Sequence, residues 1–134
     1  MAKKLKFGNV VLCEHVVAGE RNKATLVNVY SGDVLVGEMP ATLAFGFFCE
    51  HFPDTTDPVE ITLDFKFGNK NVATIRGVVQ AENFGEFGAI TIPLFSINVD
   101  RDDQLTVSAR AEGYAKSEIL KKKIFLAPDA LVGA

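Results

Sequence analysis

The chain holds 134 residues, 48% of them hydrophobic and 23% charged, which describes one ordinary globular domain and excludes a disordered, collagenous or multidomain protein. Lys plus Arg number 14 against 17 Asp plus Glu, a net charge of −3. That balance lacks the basic field with which nucleic-acid binders neutralise phosphates, so no nucleic-acid partner is expected.

Lys3, Lys4 and Lys6 resemble the charged start of an export signal. The apolar run behind them, Val10-Val11-Leu12-Cys13, is far shorter than the about 7–15 residues of a secretory core. A lipoprotein reading of Cys13 also fails, because Leu12 stands where a small residue is needed. No stretch approaches the roughly 18 apolar residues of a membrane helix. The expected setting is therefore cytoplasmic, with no membrane partner and with Cys13 and Cys49 as free thiols.

Side chains then alternate with a period of two, the signature of half-buried strands. Strands are predicted over 7–17 and 24–30, and turns at Ser31-Gly32-Asp33 and Met39-Pro40 come after them. Leu43, Phe45, Phe47 and Cys49 form an apolar row opposed by Thr42, Ala44 and Gly46. After the loop Pro53 to Pro58, the row Val59, Ile61, Leu63, Phe65 and Phe67 alternates with Glu60, Thr62, Asp64 and Lys66, which are expected to face water. Gly68-Asn69-Lys70-Asn71 reads as a hairpin turn into a strand over 72–81. Another strand covers 89–99. Within it, Pro93 coincides with a change of apolar phase, from Ile90, Ile92 and Leu94 to Phe95, Ile97 and Val99, which predicts a bulge or a crossing between sheets. Leu105, Val107, Ala109 and Ala111 mark the next strand, and 117–126 the last. A helix over Ser117 to Lys123 is rejected, because Ile119, Leu120 and Ile124 to Leu126 share no helical stripe.

About eight short strands predict an all-β fold, a single antiparallel β-sandwich of immunoglobulin-like or C2-like topology over residues 1–128, with 129–134 as a flexible tail. The chain has no Trp, and 11 Phe supply the large-volume packing.

Candidate chemistry centres on a repeated tripeptide. Cys13-Glu14-His15 and Cys49-Glu50-His51 contain every Cys and His of the chain. If their strands are neighbours, Cys13, His15, Cys49 and His51 could converge as a zinc set. The plainer reading makes Cys49 a small buried hydrophobe in the Leu43-Phe45-Phe47 row and leaves His51 exposed at the loop. The same residues, paired as Cys13 with His51 or Cys49 with His15, offer a thiolate–imidazole hydrolase, although no third group or oxyanion donor accompanies them. The run Asn98-Val99-Asp100-Arg101-Asp102-Asp103 sets oxygen ligands at alternate positions, with Asp54 and Asp57 in another loop, a calcium candidate that departs from the EF-hand pattern at Asp103 and Ala109. Phe84 and Phe87, in the loop Asn83-Phe84-Gly85-Glu86-Phe87, either close one end of the fold or form a partner surface. The lysines near the two ends, Lys3, Lys4 and Lys6 with Lys121, Lys122 and Lys123, form one patch if the first and last strands touch. Otherwise they guard a solvated sheet edge.

Three segments resemble a known family: Val11-Leu12-Cys13-Glu14-His15-Val16-Val17, Lys23-Ala24-Thr25-Leu26-Val27-Asn28-Val29-Tyr30 and Met39-Pro40-Ala41-Thr42-Leu43. They are similar to the opening strands of small, mostly bacterial β-sandwich proteins catalogued as a domain of unknown function, with Met39 where that family carries Phe. The resemblance is clearest over residues 11–50 and implies a cytoplasmic antiparallel sandwich without catalytic residues or a cofactor.

The expectation is a non-enzymatic module, binding a protein partner or a second copy of itself, with no cofactor. The alternative is a small-molecule or metal-binding sandwich that uses the Cys–His set or the Asp-rich loops.

Overall fold

The computed structural model describes residues 3–20, 23–81 and 88–127. The predicted tail and the Phe84–Phe87 loop lie outside them. Strands alone make up the regular structure described: β1 (Lys3–Lys4), β2 (Phe7–Ala18), β3 (Ala24–Val29), β4 (Val34–Val36), β5 (Ala41–His51), β6 (Val59–Phe67), β7 (Lys70–Val79), β8 (Gly88–Val99), β9 (Asp103–Arg110), β10 (Tyr114–Ala115) and β11 (Ser117–Leu126). The eight expected strands are all present. The three others are two or three residues long, too short to show an alternation.

The strands form a five-stranded sheet ordered β4-β11-β9-β6-β7, a four-stranded sheet ordered β3-β2-β5-β8, and the two-stranded pair β1-β10. The pairing is antiparallel except at β1·β10 and β4·β11, which are parallel. That corrects the expectation of a wholly antiparallel fold. Short strands that return from far along the chain set their own direction.

One apolar core joins the two larger sheets. Phe45, Phe47, Ile97 and Val99 come from the four-stranded sheet, and Ile61, Leu63, Phe65, Leu105, Val107 and Ile124 from the five-stranded one. Phe47 and Phe65 meet edge to face across the layers, with centroids 5.5 Å apart at 88°. Phe95 joins them 4.8 Å from Phe65. Such tilted arrangements suit the quadrupole of the rings.

The phase change at Pro93 is a bulge. Phe45 pairs with Phe95 and Phe47 with Ile92, so Gly46 alone faces both Pro93 and Leu94. The extra residue returns Phe95, Ile97 and Val99 to the core side already held by Ile90 and Ile92. Leu94, expected to share the face of Ile92, turns outward instead. Gly46 has a second constraint, because a Cβ there would sit 2.8 Å from Val16 N and 3.0 Å from His15 Cα. The curl of β2 over β5 needs a residue without a side chain at that point.

Two further expectations need correcting. Thr62 and Asp64, on the polar row of β6, are buried. Central position between β7 and β9 covers them with the side chains of neighbouring strands. The two lysine groups do not meet. Lys3 and Lys4 pair with Tyr114 and Ala115, whereas Lys121 to Lys123 pair with β9 beside the half of β11 that β4 leaves uncovered. Lysines on an open edge discourage pairing with another chain.

Candidate interaction edge

The zinc reading required β2 and β5 to be neighbours, and they are. Their register nevertheless keeps the two tripeptides apart. Antiparallel pairing sets Cys13 opposite Gly46 and His51 opposite Phe7. Five residues of strand therefore separate the Cys13 and His51 levels, roughly 17 Å at the usual rise. Cys49 lies level with Ile90 in the core, and His15 faces solvent. Among the described residues no three His, Cys, Asp or Glu side chains gather where they could hold a metal ion. The register thus does not bring Cys13, His15, Cys49 and His51 together, and it sets neither Cys13 beside His51 nor Cys49 beside His15.

Each of these side chains has a local environment of its own. The Cys13 Sγ donates to His15 O at 3.3 Å and Gly46 O at 3.6 Å. Burial pushes its thiol up. Cys49 is pushed up to about 12, by burial first and then by the Glu50 charge. Both cysteines are free and buried. His51, expected at the surface, is 3% exposed, with its ring 5.4 Å from that of Phe7. Burial lowers its pKa and nearby Asp54 partly offsets this.

The calcium reading fails on placement. Asp100 follows β8, whose last residue pairs with Ala41 at the start of β5, whereas Asp54 and Asp57 follow the far end of β5. The two loops lie at opposite ends of one long strand. Four of the carboxylates, Asp54, Asp100, Asp102 and Asp103, are also engaged. Arg101 bridges Asp100 at 3.0 Å and Asp103 at 3.1 Å, with its guanidinium 4.9 Å over the Phe67 ring. Asp102 Oδ1 accepts from Leu126 N at 3.0 Å, and Asp54 accepts from the Tyr114 hydroxyl at 2.5 Å.

An open polar cleft of about 740 Å³ runs over Glu60, Thr62, Arg110, Glu112 and Tyr114. Its charges are mixed, and Arg110 is committed to Asp64 through an Nε–Oδ2 bond of 2.8 Å. Thr74 Oγ1 donates to the other Asp64 oxygen at 3.1 Å. The network braces the central strand and leaves little for a ligand to neutralise.

The side of the molecule where the two sheets end together is different in kind. Strand β7 is the last strand of one sheet and β8 the last of the other. Among the described residues neither has a hydrogen-bonded neighbour on its outer side. Between them opens a groove of about 290 Å³, lined mainly by aliphatic side chains, Ile61, Leu63, Ile75, Ile90 and Ile92 among them, with Arg76 of β7 as its charged member. Val78 on β7, 65% exposed, lines it, and farther along β8, beyond the groove, Leu94 is 58% exposed. Free backbone groups beside an apolar trough are the ingredients of strand addition, in which main-chain bonds supply affinity and alternate side chains fill the trough.

The sequence reading missed this edge. Its signal was present, because all twelve residues of β8 are uncharged. Nothing in a one-dimensional pattern says that such a strand stands last in its sheet. No family model matches the chain, and no curated protein matches it.

Proposed function

We propose that the chain is a non-enzymatic protein-interaction module, a β-sandwich of immunoglobulin-like or C2-like kind that engages a protein partner along the β7–β8 side. The resemblance of residues 11–50 to the uncharacterised bacterial sandwich family, and a cytoplasmic setting, belong to the same reading. The observation that carries it is the apolar groove between two sheet edges that, among the described residues, have no strand on their outer side. The high thiol pKa of Cys49 and the separation of Cys13 from His51 favour it over a hydrolase.

The test is affinity capture from native cells with the wild-type chain and with a Val78→Lys, Leu94→Lys double variant. Both positions are exposed, so the fold is expected to survive, as circular dichroism checks. A protein captured by the wild type and lost from the variant supports the reading. Equal capture by both, or turnover of ester or amide substrates by the pure protein, argues against it.

A further inference from the structure

We infer that the partner taken by β8 is a second copy of this chain, paired antiparallel about a two-fold axis through residues 88–92. The inference rests on the interaction-module reading and names its occupant.

The strand edges of this fold differ in how they are protected. Native edges are blunted by charge, by bulges or by shortness. Strand β11 carries Lys121, Lys122 and Lys123 before the stretch that β4 covers, and the segment 30–33 is bonded to Lys122 and Lys123 there. Strand β7 carries Lys70 and Arg76. Strand β3 has six residues and is kinked where Asn28 adopts a left-handed φ of 52°. Strand β8 has twelve residues and no charge, and its single device is the Pro93–Leu94 bulge. Proline has no N–H to offer, so pairing stops there and leaves Gly88 to Ile92 as an unguarded stretch beside the groove.

Charge then selects the occupant. A two-fold axis sets each strand against itself, so any charged edge would meet its own charge. The β11 and β7 edges are excluded from self-pairing on that ground, whereas β8 brings no charge to its copy. With the axis at Ile90, Ala89 of one chain stands opposite Thr91 of the other on the outer face, while Ile90 and Ile92 of both extend the apolar lining of the groove. Once β8 is paired, the edge strands left in the two larger sheets, among the described residues, are the charged β7, the kinked β3 and the three-residue β4, so assembly closes at two copies.

The test is the mass of the intact protein by analytical ultracentrifugation at about 100 μM, a concentration that populates micromolar dimers. The expected result is twice the 14.5 kDa of the chain. An Ala89→Lys, Thr91→Lys variant sets like charges opposite one another at two exposed positions. It is expected to run at the single-chain mass with an unchanged circular-dichroism spectrum. Mixing it with an Ala89→Glu, Thr91→Glu variant is expected to restore the doubled mass. Hydrogen exchange of the wild type gives a reading that needs no variant, since amide protection over 89–92 should rise with concentration while other edges stay unchanged. A wild type of single-chain mass, a lysine variant that remains double, or concentration-independent exchange overturns the inference. A single-chain wild type that still loses a different captured protein on Val78→Lys, Leu94→Lys substitution removes self-pairing and leaves the module reading standing.

Discussion

Arg110 reaches across the outer face of the five-stranded sheet and donates from Nε to Asp64 Oδ2 at 2.8 Å, holding a carboxylate that is 6% exposed. The Arg110 bond, with help from Thr74, keeps the Asp64 carboxyl below its ordinary range against the opposing effect of burial. Asp64→Asn is expected to lower stability by about 1.5–3 kcal/mol, the usual worth of a bond to a charged group. Because the folded pKa lies below the unfolded one, this contribution is present at neutral pH and is lost as pH falls from 3.8 toward the folded value. Urea unfolding of both proteins at several pH values checks it. A variant within about 0.5 kcal/mol of wild type would show the network to be ornamental.

Phe65 lies between the layers, against Phe47 and Phe95. Phe65→Ala is expected to cost about 3–5 kcal/mol, because both sheets lose the contact and neither can collapse into the space. An unchanged melting temperature would contradict the core assignment.

Gly46 and Gly77 make a matched pair. At Gly46 a methyl group meets backbone of β2, so Gly46→Ala is expected to cost about 1–3 kcal/mol by overpacking. At Gly77 a Cβ meets nothing within 4 Å, and Gly77→Ala is expected to be neutral or to stabilise by about 0.4–1 kcal/mol through the unfolded state. Thermal denaturation of the two variants side by side decides whether β2 curls over β5 as described.

His51 should make stability depend on pH in a separate window. Burial lowers its folded pKa below 6.5, so the unfolded chain takes up a proton first as pH falls. Stability is therefore highest above 6.5 and declines below it. His51→Phe keeps a ring beside Phe7 and is expected to flatten the dependence between about pH 7 and pH 5. An equally steep decline in the variant would assign the effect to other groups.

With its thiol near 12 and its side chain in the core, Cys49 is expected to resist thiol reagents at neutral pH, and Cys13, also raised by burial, to react slowly. Both should label fully in denaturant. Rapid labelling of either in the native protein would reopen the question of a reactive cysteine.

Alternation in the sequence was enough to locate the long strands, because a period of two is imposed residue by residue. The same local logic exposed the bulge at Pro93, where the apolar phase changes within one strand. Neighbour order and register come from contacts between distant segments and leave no local trace. The repeated Cys-Glu-His looked like a ligand set for that reason: the strands are adjacent, but reversal of direction carries Cys13 to Gly46 and His51 to Phe7. Asp64 looked exposed because polarity along β6 does not tell whether long side chains from β7 and β9 lie over it. Val34-Leu35-Val36 is a strand only because β11 arrives beside it.

That last pairing bears on synthesis. Strand β11 stands between β4 and β9, and Lys123 N donates to Asp33 across 90 residues of chain. As the polypeptide emerges from the ribosome, Val34 and Val36 have no β-neighbour until residue 126 is free of the exit tunnel. The five-stranded sheet is therefore completed only once β11 has been made, and the nascent chain carries an unfinished, sticky border until then.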